Sequence, residues 1–279
     1  MKNTLYTPAT STPFLRNKNY MEIYPQTPEL AKYIRCFWGT KSLYEKQEMS
    51  DMAQLVIPDT CVDIIYEIDH TENTVTSNFC GINDSSFFVS GHTKSDHAVS
   101  RFAIRFYAWT AYAFSEDSLK DTVNGWFDAA SRFLWLDKEL RQLVFEKNTL
   151  TGRSRAAEKL FLERIKQTRE NATVNHAVRQ MILANGSMDA AELAKECFIS
   201  TRQMERLFNE YIGMTPKKLC NLVRYQFLWN EILRNPGFSI QDAVYTYGYA
   251  DQSHLMREFK RYHTMDIKSA RQYAARFNY

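Results

Sequence analysis

The C-terminal third of the sequence contains two short helical patterns separated by only a few residues, and this arrangement restricts the folds open to that region. In the first pattern, Ala190, Leu193 and Ala194 recur at the three- and four-residue spacing of one helical face. Asp189 precedes them as an N-cap residue, and Glu192 stands three positions later, as in a capping box. The small alanines let a second helix cross closely, so this stretch predicts a helical hairpin.

The second pattern begins after Ser200, another N-cap residue, and places Met204, Leu207 and Phe208 on one face. Gly213 stands where a glycine commonly ends a helix. The opposite face is polar and consists of Thr201, Arg202, Gln203, Glu205, Arg206 and Asn209. In a major groove, arginine can donate two hydrogen bonds to guanine, and glutamine or asparagine can pair with adenine. An ordinary solvated helix face has the same composition, so this pair alone leaves both interpretations open.

The whole pair of helical patterns occurs a second time, beginning at Ser239. A short helix is followed by Gly248 as the turn residue, and the next helix carries Leu255, Phe259 and Tyr262 on its apolar face. The polar face of that helix consists of Gln252, Ser253, His254, Arg257 and Arg261. Repetition of the pattern favours two helix-turn-helix units over one chance hairpin.

One long helix is predicted between the two copies. It begins at Pro216, a favourable first-turn residue, and ends before the segment 235–237, Asn-Pro-Gly. Arg206 and Arg257 occupy matching places on either side of it. We therefore expect a rigid helix that fixes the separation of two similar units.

These elements, in this order, resemble the DNA-binding domain of the AraC/XylS family of bacterial transcription regulators. The resemblance covers about residues 174–273 and rests on the helix Ser200–Phe208, the segment Gly213-Met214-Thr215-Pro216, Arg224 and the segment Gly248–Phe259. Three features depart from the family's pattern: Tyr249, Leu255 and the segment 262–266. The last departure leaves the closing helix of the domain open, whereas the recognition helices are unaffected.

The resemblance implies that two recognition helices, at about 200–210 and 251–262, read successive major grooves of double-stranded DNA. The residues expected to contact bases are Arg202, Glu205, Arg206, Gln252, His254 and Arg257. The residues expected at phosphates are Ser200, Ser253 and Arg261, with Gln203 and Asn209 completing the predicted set. Activation and repression are both open, and RNA polymerase would be a further partner of an activator.

Charge and composition fit this interpretation. Residues 171–279 hold 14 Lys/Arg and 10 Asp/Glu, whereas residues 1–170 hold 21 and 22, so the positive surplus lies in the segment with the helix pairs. This mild surplus predicts moderate DNA affinity that weakens with salt. No apolar run reaches about 18 residues and residues 1–14 lack a continuous apolar stretch, so we expect a cytoplasmic protein with neither membrane span nor secretory signal.

The N-terminal half has the pattern of a small β-protein. Short β-branched segments such as 61–68 and 101–106 are separated by turn residues, which predicts a sandwich or barrel. Its details resemble the cupin-like sensor half of one AraC-type subgroup, through Phe37-Trp38, the segment Pro58–Ile65, Gly91 and the segment Phe102–Phe106. Thr60 and the segment 107–110 depart from that pattern.

Two interpretations of the aromatic residues in this half are open. Trp38, Tyr66, Phe88, Phe102 and Phe106 either line an apolar pocket for a small-molecule effector or simply fill the core. An N-terminal half that serves only dimerisation or protein–protein interaction, with no effector, is the alternative.

Features of an enzyme or metalloprotein are not found. His92 and His97 lack the His-x-His spacing of a metal-binding strand, and Asp59 and Asp63 flank a turn, where acids commonly bind backbone N–H groups. The sequence contains neither a nucleophile elbow nor a phosphate-binding glycine loop, so we expect no catalysis, metal or cofactor. The five cysteines lack C-x-x-C spacing and are expected to be reduced thiols.

From Ser115 the apolar spacing becomes helical, with Leu119, Val123, Trp126 and Phe127 on one stripe. These helices either pair two subunits into a homodimer or cover the barrel of their own chain, because an apolar stripe does not reveal its partner. The predicted fold class is therefore α+β. A cupin-like β-barrel (1–112) precedes a helical linker or dimerisation region (113–170) and an all-α domain (171–279), in which a long helix joins two helix-turn-helix units.

Overall fold

The computed structural model describes residues 6–9, 20–40, 54–89 and 97–276 of the 279-residue chain. Within these ranges the N-terminal half is mostly strand. The strands are β1 (Tyr20–Ile23), β2 (Ile34–Thr40), β3 (Gln54–Val56), β4 (Cys61–Asp69), β5 (Thr74–Cys80), β6 (Phe87–Val89), β7 (Val99–Tyr107) and β8 (Trp126–Asp128).

The described strands form two antiparallel sheets. One has the order β1-β2-β7-β4-β5-β8, and the other pairs β3 with β6. Strand β4 shows how the larger sheet is oriented, because alternate side chains of a strand point to opposite faces. Ile64, Tyr66 and Ile68 are fully buried on the face that forms the main core, whereas Ile65 and Glu67 belong to the other face and are only partly buried.

One short helix lies between β1 and β2, and helices dominate the chain from Ala130 onward. They are α1 (Pro28–Ala31), α2 (Ala130–Glu146), α3 (Leu150–Arg164), α4 (Ala172–Leu183), α5 (Ala190–Glu196), α6 (Thr201–Tyr211), α7 (Pro216–Arg234), α8 (Ile240–Thr246), α9 (Gln252–His263) and α10 (Ile267–Arg276). Helices α2 and α3 pack against each other and cover the core face of the larger sheet. Helix α10 is the closing helix that the sequence pattern left open.

The predicted fold class is confirmed: an antiparallel sheet region followed by helices, and then an all-helical domain containing two helix-turn-helix units. The likeness to a cupin barrel and the domain boundaries at 112 and 170 stay predictions. Gly91, which contributed to that likeness, lies outside the described residues.

The helical pattern predicted from Ser115 is wrong over its first part. Residues 115–125 form turns, and Trp126–Asp128 is a strand in which Phe127 pairs with Phe79. Asp121 and Asn124 adopt left-handed backbone angles, φ 62° and 55°, which an α-helix does not accommodate. The apolar residues therefore cover the core from a loop and an edge strand, and the helix begins only at Ala130.

Helix α7 is the central element of the C-terminal domain. Thr215 caps it by accepting a hydrogen bond from the Lys218 backbone N–H, and Pro216 occupies its first turn, as predicted. Its buried residues are Pro216, Leu219, Cys220, Leu222, Val223, Arg224, Tyr225, Gln226, Leu228, Trp229 and Ile232. A helix buried on nearly all sides must have neighbours all round, and α7 contacts α4, α6, α9 and α10.

A buried ion pair fixes the second recognition helix, α9, to α7. The Arg224 guanidinium donates from Nε and Nη2 to the Glu258 carboxylate at 2.9–3.1 Å. Both side chains are about nine-tenths buried, at 10% and 8% exposure. The guanidinium also lies over the Tyr249 ring, with Cζ 4.4 Å from the ring centroid. The ion pair and this ring contact therefore join α7, α9 and the turn between α8 and α9.

The N-terminal half packs directly against α6 and α7. Buried Gln226 of α7 donates to the Pro58 carbonyl at 2.8 Å, and its Oε1 accepts from the Ala9 backbone N–H at 2.7 Å. At the end of α6, Gly213 has φ 82°, and a Cβ built there would lie 2.4 Å from the Leu119 carbonyl oxygen. The two halves therefore contact each other through close backbone approaches as well as side chains.

Replacing Arg224 by Met should destabilise the protein by about 3–5 kcal/mol, because Glu258 would keep its charge in a buried position without a partner. Chemical denaturation of the full chain measures this change. Arg234→Met, an exposed change on the same helix, is the control and should cost about 0.5 kcal/mol or less. The double variant Arg224→Met/Glu258→Leu should recover part of the loss. Equal, small effects of R224M and R234M would contradict the role of the pair.

A second prediction concerns His263, which is 2% exposed at the end of α9. Burial lowers its pKa from 6.5 to about 4, and its ring stacks on Phe259 while Nδ1 lies 2.8 Å from the Tyr225 hydroxyl. The unfolded chain takes up this proton first as the pH falls, so the stability contribution is present above pH 6.5 and is lost toward pH 4.

Stability measured by denaturation should therefore fall by about 2 kcal/mol more between pH 7 and pH 5 in the natural chain than in His263→Phe. The Phe variant keeps the aromatic packing and removes the titrating group. The same acid dependence in both proteins would show that His263 is not buried in its neutral form.

Candidate nucleic-acid interface

Local hydrogen bonds build the first helix-turn-helix unit as the sequence predicts. The Asp189 carboxylate accepts from the backbone N–H groups of Ala191 and Glu192 at 2.8 Å, and the Glu192 carboxylate accepts from the Asp189 N–H at 2.8 Å. This is the predicted capping box of α5. Ser200 caps α6 by accepting from the Gln203 N–H at 3.2 Å. Between the helices, Phe198 takes a left-handed φ of 55° that reverses the chain.

The two faces of α6 are separated as expected. Met204 and Phe208 are fully buried, and Leu207 is half-buried beside them. Among the predicted contact residues, the exposed ones are Ser200, Arg202, Gln203, Glu205 and Arg206, and Asn209 near the end of the helix is half-buried. The polar side chains of the first two turns are thus free to meet a ligand surface.

The second unit repeats this construction. Ser239 caps α8 by accepting from the Asp242 N–H at 3.3 Å, and Asp251 caps α9 by accepting from the His254 N–H at 2.6 Å. Gly248 forms the turn with φ 67°, a conformation that glycine adopts without strain. The two turns therefore share a left-handed residue, Phe198 in one and Gly248 in the other.

The faces of α9 also follow the prediction, with one difference. Leu255, Phe259 and Tyr262 are buried. The exposed predicted contact residues are Gln252, Ser253, Arg257 and Arg261. His254 is only partly exposed, because its Nδ1 accepts from the Ala250 N–H at 3.4 Å and its ring packs edge-on against Tyr249. His254 is therefore engaged in the turn as well as available at the surface.

Two roles escaped the sequence analysis. Glu258 lies between the exposed Arg257 and the buried Phe259 and was not distinguished from surface acids, although it anchors α9 to α7. Gln226 lies among the apolar residues of α7 and has no role in the sequence pattern, although it bonds to the N-terminal half. A polar residue inside an apolar stripe is the one signal that could have indicated such a buried partner. Phe198 is 95% exposed and has no packing role.

The structure does not bring the five aromatic candidates of the N-terminal half together. Tyr66, Phe102 and Phe106 are fully buried in the main core, where they pack against other rings. Trp38 lies on the opposite face of the same sheet, and its Nε1 donates to Asp63 at 2.8 Å. Phe88 is 59% exposed. Three of the five therefore have the core-filling role that was the alternative interpretation.

The remaining polar candidates have structural explanations. The Asp59 carboxylate accepts from the Cys61 N–H at 2.8 Å, as expected for an acid at a turn, and Asp63 pairs with Arg105. His97 lies 2.5 Å from the Asp69 carboxylate, and His92 is outside the described residues. In the part of the chain that the structure describes, no cluster of three His, Cys, Asp or Glu could hold a metal, and no helix is long and apolar enough to cross a membrane.

In comparisons with known proteins, each half of the chain matches a different family model. Residues 193–273 match a family model described as a helix-turn-helix domain, and residues 22–126 match a model described as a domain of unknown function (DUF6597). No curated protein matches the chain.

Solved structures of AraC-type proteins are similar at low identity. An AraC-type transcriptional regulator from Chromobacterium violaceum is 19% identical over 37% of this chain and 95% of its own, with a TM-score of 0.32. ToxT from Vibrio cholerae O395 is 11% identical over 84% and 97%, with a TM-score of 0.40. ToxT of V. cholerae strain SCE256 with bound unsaturated fatty acid is 11% identical over 91% and 95%, with a TM-score of 0.37.

These structural likenesses are too weak to indicate a target or a ligand for this chain. The assignment rests on the family match over residues 193–273 and on the two helix-turn-helix units that the structure contains there. The C-terminal region of this chain is an AraC-type helix-turn-helix domain, the DNA-binding domain of a transcription regulator.

Proposed function

We propose that this protein binds specific DNA sequences by placing α6 and α9 in successive major grooves and regulates transcription from those sites. The observation that carries the proposal is the same in both units: the side chains that pack each helix are buried, and the arginines at matching places are exposed. Arg206 stands two residues before buried Phe208, and Arg257 stands two residues before buried Phe259. Each arginine therefore projects from the exposed face of a helix whose opposite face is packed against the protein.

The chemistry of the exposed residues supports base reading by both helices. Arg202, Arg206 and Arg257 can donate paired hydrogen bonds to guanine, and Gln252 can pair with adenine. We expect His254 to contribute less than these residues, because its ring is partly engaged in the turn. Glu205 suits a cytosine amino group. Ser200, Ser253 and Arg261 are exposed beside these residues and suit phosphates, with Gln203 and Asn209 at the edges.

In this proposal residues 171–279 bind DNA, residues 113–170 connect the halves, and residues 1–112 regulate. The contacts of Gln226 with Ala9 and Pro58 support a regulatory role, because α7 is then shared by both halves. A cavity lies beside the face of the larger sheet that carries Ile65 and Glu67, and it offers a place for a small-molecule effector. The protein would act with RNA polymerase if it is an activator.

The alternative is an N-terminal half that serves only to form a homodimer. Leu134 of α2 and Leu162 of α3 favour it, since they are 42% and 37% exposed on helices otherwise packed in the core. The two functions differ in one result: an effector changes DNA affinity, whereas a dimerisation domain without an effector leaves DNA affinity unaffected by small molecules.

Replacing Arg206 or Arg257 by Ala should weaken specific DNA binding by about 1–3 kcal/mol, roughly 5- to 150-fold, because a paired contact to a base is lost. Fluorescence anisotropy at fixed salt, on a duplex isolated by its affinity for the natural chain, measures this loss. Arg155→Ala removes the same charge from an exposed position on α3 and should change affinity by less than about twofold. Unchanged affinity in both R206A and R257A would contradict the groove assignment.

A further inference from the structure

A cavity of about 340 Å³ lies between the second face of the larger sheet and the β3–β6 pair. That volume is within the range of small-molecule sites. Its lining comes from five strands of the larger sheet and from both strands of the smaller one. The apolar lining residues are Trp38, Val56, Ile57, Ile65, Phe87, Val89 and Trp126. Phe87 and Trp126 are 39% and 58% exposed, so the cavity has aromatic side chains that also reach solvent.

Two ion pairs hold all but one of the charged side chains in the described cavity wall. The Arg105 guanidinium donates from Nε and Nη2 to the two oxygens of Asp63, each at 2.9 Å. Arg101 donates to Glu67 at 2.8 Å. The remaining acid is Asp59, whose pKa is raised by burial. Among the described residues, a ligand carboxylate would face this acid and two paired ones without a free cation, so this part of the wall does not match an anion.

Arg105 in this wall has a donor that is not satisfied. Arg105 is 5% exposed, and its Nη1 is buried and has no hydrogen-bond partner among the described residues. A buried donor without an acceptor destabilises a structure, because the donor has lost its hydrogen bond to water. An oxygen of a bound molecule would satisfy it, and the apolar and aromatic walls would cover the rest of that molecule.

We propose that this cavity binds a small, uncharged and largely apolar molecule whose hydrogen-bond acceptor reaches Nη1 of Arg105. The inference does not depend on DNA binding. The strand register sets the position of the residues that line the cavity. It aligns Asp63 with Arg105 across β4 and β7, and Ile65 with Asn78 across β4 and β5.

Residues of the loop 81–87 line the cavity, and the same loop contacts the C-terminal domain. Gly81, Asn83 and Phe87 line the cavity, and between them Asp84 accepts from Lys218 Nζ at the start of α7 at 2.8 Å. Ser86 of the same loop donates to the Tyr262 carbonyl of α9.

The loop is braced from its other side as well. The Asp84 backbone N–H donates to Asn124 Oδ1 at 2.9 Å, and Asn124 Nδ2 donates to the Asp84 carboxylate at 2.6 Å. A molecule that moves residues 81–87 therefore moves the contacts of α7 and α9, and this transmission step rests on the proposed function.

Two matched pairs of probes test the ligand class: indole-3-acetamide with indole-3-acetate, and 4-phenylbutanamide with 4-phenylbutanoate. At neutral pH at least one amide should raise the melting temperature of the full chain, because a ligand of the native state stabilises it. The acid of that pair should bind about tenfold more weakly or worse, since it brings a charge the wall does not neutralise.

Asn78→Trp fills the cavity from a partly buried position on β5 and should abolish binding of the amide. Thr74→Trp makes the same change on the same strand, at an exposed position outside the cavity, and should bind like the natural chain. Failure of both amides to bind at millimolar concentration, equal binding of an acid, or binding retained in N78W would each overturn the site.

Transmission is tested by DNA affinity with and without the bound amide. In the natural chain the amide should change DNA affinity by about threefold or more, in either direction. Asp84→Asn should reduce that change below about twofold while the affinity for the amide stays the same. Asp121→Asn, which removes an equal charge from the neighbouring loop, should leave the change intact.

Full coupling in D84N would contradict the route through the loop. An absence of DNA binding without any probe would instead contradict the proposed function and leave the ligand site standing.

Discussion

Burial of α7 on nearly all sides is the constraint from which the other features of the C-terminal domain follow. Its fully buried side chains extend from Leu219 to Ile232, and α7 contacts both α6 and α9, so both helix-turn-helix units pack against one helix. Burial of each large apolar side chain contributes about 1.5–3 kcal/mol, which exceeds what helix propensity or capping adds. The separation of α6 and α9 is thus fixed by the helix between them, since neither short unit could hold its position alone.

The polar groups of α7 explain its place between the two halves of the protein. A buried polar side chain destabilises the fold unless it is hydrogen-bonded, and α7 buries both Arg224 and Gln226. Arg224 is satisfied by Glu258 within the domain, whereas Gln226 is satisfied by Ala9 and Pro58 of the N-terminal half. The position of the N-terminal half is therefore part of the environment that α7 requires. Any displacement of that half exposes Gln226 or leaves it unsatisfied.

Local chemistry explains which features could be predicted from the sequence. N-caps at Asp189 and Ser200 depend on residues three positions apart, and the buried faces of α6 and α9 follow the helical period, so both were predictable without knowledge of the fold. The exposure of the predicted DNA contacts follows from the same period. Their contacts with DNA stay predictions, because exposure does not identify a partner.

Features that depend on the sheet were not predictable in the same way. Apolar spacing over 119–127 fitted a helix, yet left-handed turns and pairing with β5 make that segment a loop and a strand. Which face of the larger sheet carries Tyr66 and which carries Arg105 depends on register, since a shift of one residue exchanges the faces. The unsatisfied Nη1 of Arg105 and the cavity beside it result from that register and from the placement of the β3–β6 pair.

Selection of bound DNA from a random pool tests most directly the claim that one rigid helix presents two reading edges to a duplex. The account predicts two short sequence elements whose centres are about 10–10.5 base pairs apart, one turn of DNA, in every strongly bound molecule. Their spacing should not vary, because α7 is one continuous helix that packs against both α6 and α9. A single element, or two elements at variable distances, would contradict the account.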